Sequence, residues 1–155
     1  KDKMNYPVEL FLLESIINER VSYFKSIATS SHKSIEVSVS SICNVKMSKV
    51  ELIRLIDNNL SNAIKYSSSN STISIVLNAN KLSFHNIGQP IHKIENVFNK
   101  YVRENSVLGG HGLGLSIVKD IATKYAIDIR LTSNANEGTN FLYIFKCHTS
   151  DISKG

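Results

Sequence analysis

The sequence predicts an α/β fold, and three observations carry that reading. Apolar residues recur at three- and four-residue spacing in separate stretches, short runs of strict apolar/polar alternation lie between them, and turns rich in serine, asparagine and glycine divide the two. With 155 residues, 42% hydrophobic and 20% charged, the chain is large enough to bury one core and small for two. Residues 1–155 are therefore read as a single domain with its core at about 8–146.

The first helix is placed over 8–28, where Leu10, Leu13, Ile17, Val21, Phe24 and Ile27 form one stripe, and it ends in the polar stretch Thr29–Ser34. Ile35, Val37 and Val39 then alternate with polar residues as a half-buried strand does. Ser48, with Glu51 three positions on, has the signature of a helix N-terminus, and this second helix runs to about Tyr66 before the serine-rich loop Ser67–Ser71. Ile73, Ile75 and Leu77 form another strand, Asn78–Asn80 a turn, and Leu82 with Phe84 the returning strand, so the middle of the chain reads as a β-meander. From Gly88 to Gly112 strict period is lost, apart from a short apolar segment at Ile94–Phe98, and an irregular stretch of that length points to a functional loop. A third helix follows over Leu113–Tyr125, with Leu115, Val118, Ala122 and Tyr125 inward. Strands at Ile127–Thr132 and Thr139–Lys146 complete the pattern, and the tail after His148 is expected to fray.

Composition excludes several function classes. No apolar run reaches the roughly 20 residues of a membrane span, the richest stretch being Val8–Ile17, and Lys1–Tyr6 does not open a secretory leader. Cys43 and Cys147 are too few and too far apart to read as a disulfide framework or a zinc site, so a reducing cytosol suits them best. Eighteen Lys and Arg against 13 Asp and Glu give a net charge of +5, but the basic residues are scattered, which argues against nucleic acid as a partner.

Two stretches carry chemistry. Gly109-Gly110-His111-Gly112-Leu113-Gly114 stands immediately before the third helix, joining a permissive backbone to a helix N-terminus whose unpaired N–H groups favour anions. It is neither a Walker A loop nor a dinucleotide fingerprint, and a flexible surface loop with a helix cap would show the same composition. On the second helix Asn58, Asn62 and Lys65 share one face, with Ile53, Ile56, Leu60 and Ala63 opposite. A solvated polar face would look similar, yet Asp57, Asn58, Asn59 and Asn62 are poor mid-helix residues, each costing roughly half a kcal/mol or more against alanine. An amide oxygen is a suitable neutral ligand for Mg²⁺, and Lys65 could meet a phosphate held by that ion.

Taken together, the run Asn58-Asn59-Leu60-Ser61-Asn62-Ala63-Ile64-Lys65-Tyr66-Ser67 and the run Gly110-His111-Gly112-Leu113-Gly114-Leu115-Ser116-Ile117-Val118-Lys119 resemble the N box and G2 box of the sensor histidine kinase catalytic domain, a HATPase of the GHKL superfamily. Between them Val97-Phe98-Asn99-Lys100-Tyr101-Val102-Arg103 is similar to the F box, and Glu137-Gly138-Thr139-Asn140-Phe141 to the last glycine-threonine motif. Order and spacing agree over about residues 8–146. The resemblance implies the Bergerat fold, a two-layer α/β sandwich whose mixed sheet is covered on one face by about three helices, with a mobile ATP lid at about Glu104–His111. It implies ATP and Mg²⁺ as cofactors. Asn62 would ligate Mg²⁺, Lys65 and Arg103 would approach the phosphates, and Asn58 would hold the first N-box position beside the reacting group. Tyr66 would pack on adenine or ribose. Gly110, Gly112, Leu113, Gly114 and Leu115 would offer backbone N–H groups to the phosphates, while Asn86, Gly88, Ile91, Tyr101 and Thr139 would complete the nucleotide pocket.

Two departures bear on activity. The first G box normally reads Asp-x-Gly-x-Gly, and here it is Asn86-Ile87-Gly88-Gln89-Pro90, with a neutral amide where a carboxylate would accept the adenine amino proton. Hydrogen bonds to charged groups contribute about 1.5–3 kcal/mol against about 1 for neutral pairs, so base recognition would weaken unless the pocket is adapted to the amide. Secondly, none of His32, His85, His92, His111 and His148 is followed by the acidic residue that commonly follows a phospho-acceptor histidine, so the acceptor belongs to a dimerisation domain absent from this chain. The implied partners are that domain and a response regulator, and the implied parent is a membrane-anchored homodimer with this part in the cytoplasm. In hydrolytic relatives a glutamate commonly stands where this chain has Asn58, a poor proton acceptor, which disfavours an ATPase. A docking module that binds nucleotide weakly and a serine kinase of the same fold are the alternatives.

Overall fold

The computed structural model of the chain describes residues 6–91, 94–98 and 112–148. In chain order the elements are β1 (Val8–Leu12), α1 (Leu13–Ser30), β2 (Ser34–Val39), β3 (Asn44–Ser48), α2 (Lys49–Tyr66), β4 (Thr72–Asn78), β5 (Lys81–Asn86), a 3₁₀ turn at Ile94–Asn96, α3 (Gly112–Lys124), β6 (Asp128–Asn134) and β7 (Gly138–Ile144). Five strands form one sheet in the order β2-β4-β5-β7-β6, and β1 pairs with β3 in a separate two-stranded sheet. The β2–β4 pair is parallel and the others antiparallel, so the large sheet is mixed. Its inward face carries Ile73, Ile75, Leu77, Leu82, Phe84, Phe141 and Tyr143, all buried under α1, α2 and α3. The two-layer α/β sandwich expected from the sequence is the fold observed.

Most elements fall where periodicity puts them. The Ser48 hydroxyl accepts the backbone N–H of Glu51 at 3.1 Å, so α2 opens with a capping residue, as predicted. The Glu51 side chain, instead of closing the capping box directly, takes the hydroxyl of Tyr125 and the ammonium of Lys124. The same Tyr125 oxygen accepts the backbone N–H of Ser48 at 3.3 Å. The first turn of α2 is thereby joined to the end of α3. On its other side Asp57 accepts hydrogen bonds from Nε and Nη2 of the Arg20 guanidinium, each at 2.8 Å, which ties α2 to α1.

Three expectations require correction. Residues 8–12 form a strand, because their backbone groups pair with β3 in the register Leu10 opposite Lys46 and Leu12 opposite Asn44. Leu10 and Ile27, assigned to the inward stripe, are 44% and 41% exposed, and the helix begins at Leu13, whose N–H is taken by the Cys43 carbonyl at 2.9 Å. The spacing of Leu10, Leu13 and Ile17 fits a helix, but long-range strand pairing outweighs that local preference. The partner strand β3 was itself not predicted, although Cys43, Val45 and Met47 alternate and are buried. Nor is the middle of the chain a continuous meander. Only β4 and β5 form the expected hairpin, and the other neighbour of β5 is β7, reached through α3 and β6.

The third correction concerns the cysteines. Cys43 and Cys147 form a disulfide across a sequence separation of 104 residues. The segment after β7 runs back to β3, where the N–H of His148 meets the Asn44 carbonyl at 2.8 Å, and Asn80 holds Phe145 through its backbone and side chain. Distance along the chain therefore says nothing about distance in space, and cysteine usage no longer argues for a reducing compartment. Among the described residues no helix is long and apolar enough to cross a membrane. The tail beyond His148 lies outside the described residues.

A crosslink that closes so long a loop restricts the unfolded chain strongly. Reduction, or Cys147→Ser, is expected to lower the unfolding free energy by about 2–5 kcal/mol, measured by denaturant unfolding with a lower midpoint and, because the released unfolded chain expands, a steeper slope.

Candidate functional site

The fixed end-to-end pairing of α2 and α3 decides where the chemistry-bearing residues meet. Glu51 in the first turn of α2 contacts Lys124 and Tyr125 at the end of α3, so the helices run antiparallel. Counting back twelve residues from Lys124, at 1.5 Å rise per residue, spans about 18 Å and ends level with Asn62 and Ala63. The first turn of α3, which contains Gly112, Leu113, Gly114 and Leu115, is thus at the end of the molecule where α2 presents Asn62, Lys65 and Tyr66. Its leading N–H groups have no partners within the helix.

The same end of α2 abuts the sheet. Ser67 forms a β-bridge with Gly88, and the N–H of Ser68 donates to the Ile87 carbonyl at 2.8 Å. A Cβ added at Gly88 would lie 2.1 Å from the Tyr66 carbonyl oxygen, so only glycine permits this approach. On the other side Gly138, with φ of +86°, packs its α-carbon beside the Asn86 carbonyl, where a Cβ would fall 2.4 Å from the oxygen. Asn86 lies between these two contacts, buried, at the end of β5 and paired in register with Thr139.

Hydroxyl groups extend this polar cluster. Ser133 and Thr139 share a hydrogen bond of 2.7 Å, and Ser133 also accepts the N–H of Ile91 at 2.9 Å. Sequence reading missed Ser133, since a serine near the end of an edge strand carries no local signal of the partner it meets. The Lys33 ammonium donates to the Ile64 carbonyl at 2.6 Å, placing a cation at the negative end of the α2 dipole. Higher on the helix the Asn58 amide donates to the Arg54 carbonyl at 2.8 Å, which commits its nitrogen to the helix. Asn59, read from the sequence with the polar set, is instead buried, and its oxygen accepts the hydroxyl of Tyr143 at 2.8 Å.

The structure thus brings Tyr66, Asn86, Gly88, Ile91 and Thr139 into one connected region and sets Asn62 and Lys65 on the helix that borders it. Asn58 lies one turn back on that helix. Tyr101, Arg103, Gly110, the proposed lid and the side chain of Leu113 lie outside the described residues. Among the described residues no group of three His, Cys, Asp or Glu side chains could hold a metal ion.

Residues 47–149 match the model of the histidine kinase-, DNA gyrase B- and HSP90-like ATPase family. The chain belongs to this family. Among curated relatives of this ATPase domain, the sensor-like histidine kinase SenX3 of Mycolicibacterium smegmatis is 32% identical over 139 residues, covering 83% of this chain and 36% of the relative. The sensor histidine kinase WalK of Bacillus subtilis is 28% identical over 111 residues, 64% of this chain and 18% of the relative. The chain therefore spans well under half of the length of these curated relatives. Among solved structures, the mycobacterial sensor histidine kinase MprB superposes with a TM-score of 0.79 at 21% identity, covering 93% of this chain and all of that one. The catalytic domain of histidine kinase ThkA gives 0.75 at 23% identity, covering 90% and 96%. At these identities the structural likeness establishes the fold.

The glycine contacts supply a test that needs no ligand. Gly88→Ala must push β5 away from the end of α2, and a loss of about 1–3 kcal/mol of stability is expected, with amide shift changes centred on Tyr66–Ser68 and Asn86 in a ¹H–¹⁵N spectrum.

Proposed function

We propose that this chain is the ATP- and Mg²⁺-binding catalytic domain of a two-component sensor histidine kinase, passing the γ-phosphoryl group of ATP to a histidine on an adjacent helical dimerisation domain. The observation that carries the reading is the meeting of two unlike surfaces, the C-terminal end of α2 and the adjoining ends of β5 and β7, on the side toward which α3 directs its N-terminal turn when counted back from its contact with Glu51. Their chemistry fits the nucleotide. Asn86, Thr139 and Ser133 offer a neutral, hydrogen-bonding surface for a base, held together by the close backbone approaches of Gly88 to Tyr66 and Gly138 to Asn86. Half-buried Asn62 offers an amide oxygen for Mg²⁺, and Lys65 together with the first N–H groups of α3 offers positive charge to phosphates.

In such a transfer a ring nitrogen of the acceptor attacks the γ-phosphorus, the bond to the bridging oxygen breaks, and ADP leaves. The acceptor is its own nucleophile, so the chain need supply only position and charge neutralisation. Bound Mg²⁺ would draw charge from the phosphate oxygens. Asn58, with its nitrogen held by Arg54, is no proton acceptor, which supports transfer to histidine over hydrolysis of ATP. The parent protein is proposed to be a membrane-anchored homodimer that exposes this domain to the cytoplasm and hands its phosphoryl group to a response regulator.

Asn62→Ala should weaken Mg²⁺-dependent ATP binding at least tenfold while shifting the melting temperature little, since the side chain is assigned to a ligand site outside the core. Equal affinity of variant and parent in calorimetry would remove Asn62 from the metal assignment.

The division of labour is tested by labelling. Incubated alone with labelled Mg-ATP, the chain should gain no acid-labile, base-stable phosphate, and adding the histidine-bearing helical domain of the parent should restore labelling, slowly, because linkage no longer supplies a high effective concentration. Lys65→Ala should slow that transfer further. Stable phosphohistidine on the chain alone would refute the proposal. Weak or absent Mg-ATP binding by the folded chain would favour a docking module.

A further inference from the structure

We propose that Asn59 and Tyr143 are positioning residues, whose buried hydrogen bond sets the rotation and axial level of α2 on the sheet and so aims Asn62 and Lys65 into the nucleotide site. The inference deepens the nucleotide-binding reading and rests on it.

Both ends of the bond are fixed points. The Asn59 amide donates to the Leu55 carbonyl of its own helix at 2.9 Å while its oxygen accepts the Tyr143 hydroxyl at 2.8 Å, so the acceptor is locked to the α2 backbone. The Tyr143 ring is fully buried and meets Phe84 edge-on, at 5.9 Å between centroids and 78° between planes, with Leu82 opposite it in the β5–β7 ladder. Its hydroxyl is therefore a fixed point of the sheet. Burial pushes the Tyr143 phenol well above its ordinary range, so it remains a donor at any physiological pH.

Apolar contacts alone would not hold a helix so closely. Leu52, Leu55, Ile56 and Leu60 pack on the sheet without direction, whereas a hydrogen bond weakens steeply with distance and angle and is expensive to break where water cannot replace it. A rotation of α2 by about 20° would move side-chain tips at 5–6 Å from the axis by roughly 2 Å, beyond what a metal-ligand set tolerates. Asn62 is one short turn from Asn59, and Lys65 nearly two. At the other end Thr139 and Tyr143 share the buried face of β7, so the bond joins the strand that borders the base pocket to the helix that carries the phosphate-side residues. Stability does not account for the pair, because two apolar groups of the same shape would fill the space with similar or better stability.

The test is the double variant Asn59→Leu/Tyr143→Phe, which removes both polar groups and leaves no orphan. It should melt near the parent temperature, bind Mg-ATP five- to tenfold more weakly, and show broadened amide resonances confined to Asn58–Tyr66. Parent-like affinity with unchanged α2 resonances would overturn the proposal and reduce the pair to packing. Should the double variant fail to fold, Tyr143→Phe, which deletes one oxygen, is read by the same two measurements and the same two outcomes. If the parent itself does not bind Mg-ATP, the nucleotide reading fails separately, and the α2 resonances decide on positioning alone: broadening sustains it, parent-like spectra end it.

Discussion

The carboxylate of Glu51 is the joint on which the arrangement of the molecule turns. It accepts the Tyr125 hydroxyl and the Lys124 ammonium, while the Tyr125 oxygen accepts the N–H of Ser48, so the cap of α2 is completed by residues at the end of α3. The ammonium contributes little by charge alone, since the Lys124 side chain is 47% exposed and solvent screens the pair. The phenol is the stronger partner. Burial raises the Tyr125 pKa, with the Glu51 bond adding to the shift, so the hydroxyl stays protonated and donating across the neutral range. One connection thereby sets the antiparallel course of two helices, and everything at their far ends follows from it.

Those far ends carry opposite partial charges. The last carbonyls of α2 are negative and are met by Lys33 at Ile64, whereas the leading N–H groups of α3 stand at the positive end of its dipole. The sheet then closes the third side through backbone contacts too tight for any side chain, Gly88 against Tyr66 and Gly138 against Asn86. Because β7 rather than β6 lies beside β5, Thr139 comes opposite Asn86 although 53 positions separate them, and the hydroxyl of Ser133 arrives from β6 one strand further out. Strand order, which no local pattern encodes, is what brings these three side chains together.

That distinction explains what could be read from the sequence. α2 was legible because its signals are local: Ser48 with Glu51, and Asn58, Asn62 and Lys65 on one face. The β4–β5 hairpin was legible from Asn78–Asn80 for the same reason, Ala79 taking the positive φ that the tight turn requires. The start of α1 was not, because Leu10 satisfies helical spacing and only its pairing with Lys46 makes it a strand residue. The disulfide depends on a return of the chain after β7. Asn59 looked like one more polar residue on a polar helix, its partner being 84 positions away. Of the candidate site, the residue types and their order were readable, and the polar contacts that hold them at fixed angles were not.

Those contacts bear on how the proposed site would divide its work. In the proposed site a neutral amide at Asn86 would contribute about 1 kcal/mol to holding a base, less than a carboxylate would, so most of the grip on a nucleotide would fall to the charged phosphate side formed by α2 and α3. Charge-assisted contacts to phosphate and metal are also the ones that tolerate misplacement least. The weight of polar contacts on α2 is consistent with that demand: Glu51 at its start, Asp57 to Arg20 on one flank, Asn59 to Tyr143 beneath, and Lys33 at its end. A helix that served only to cover the sheet would need none of them beyond its apolar face. The chain has invested direction, rather than further apolar area, in the element that would have to keep metal and phosphate in line.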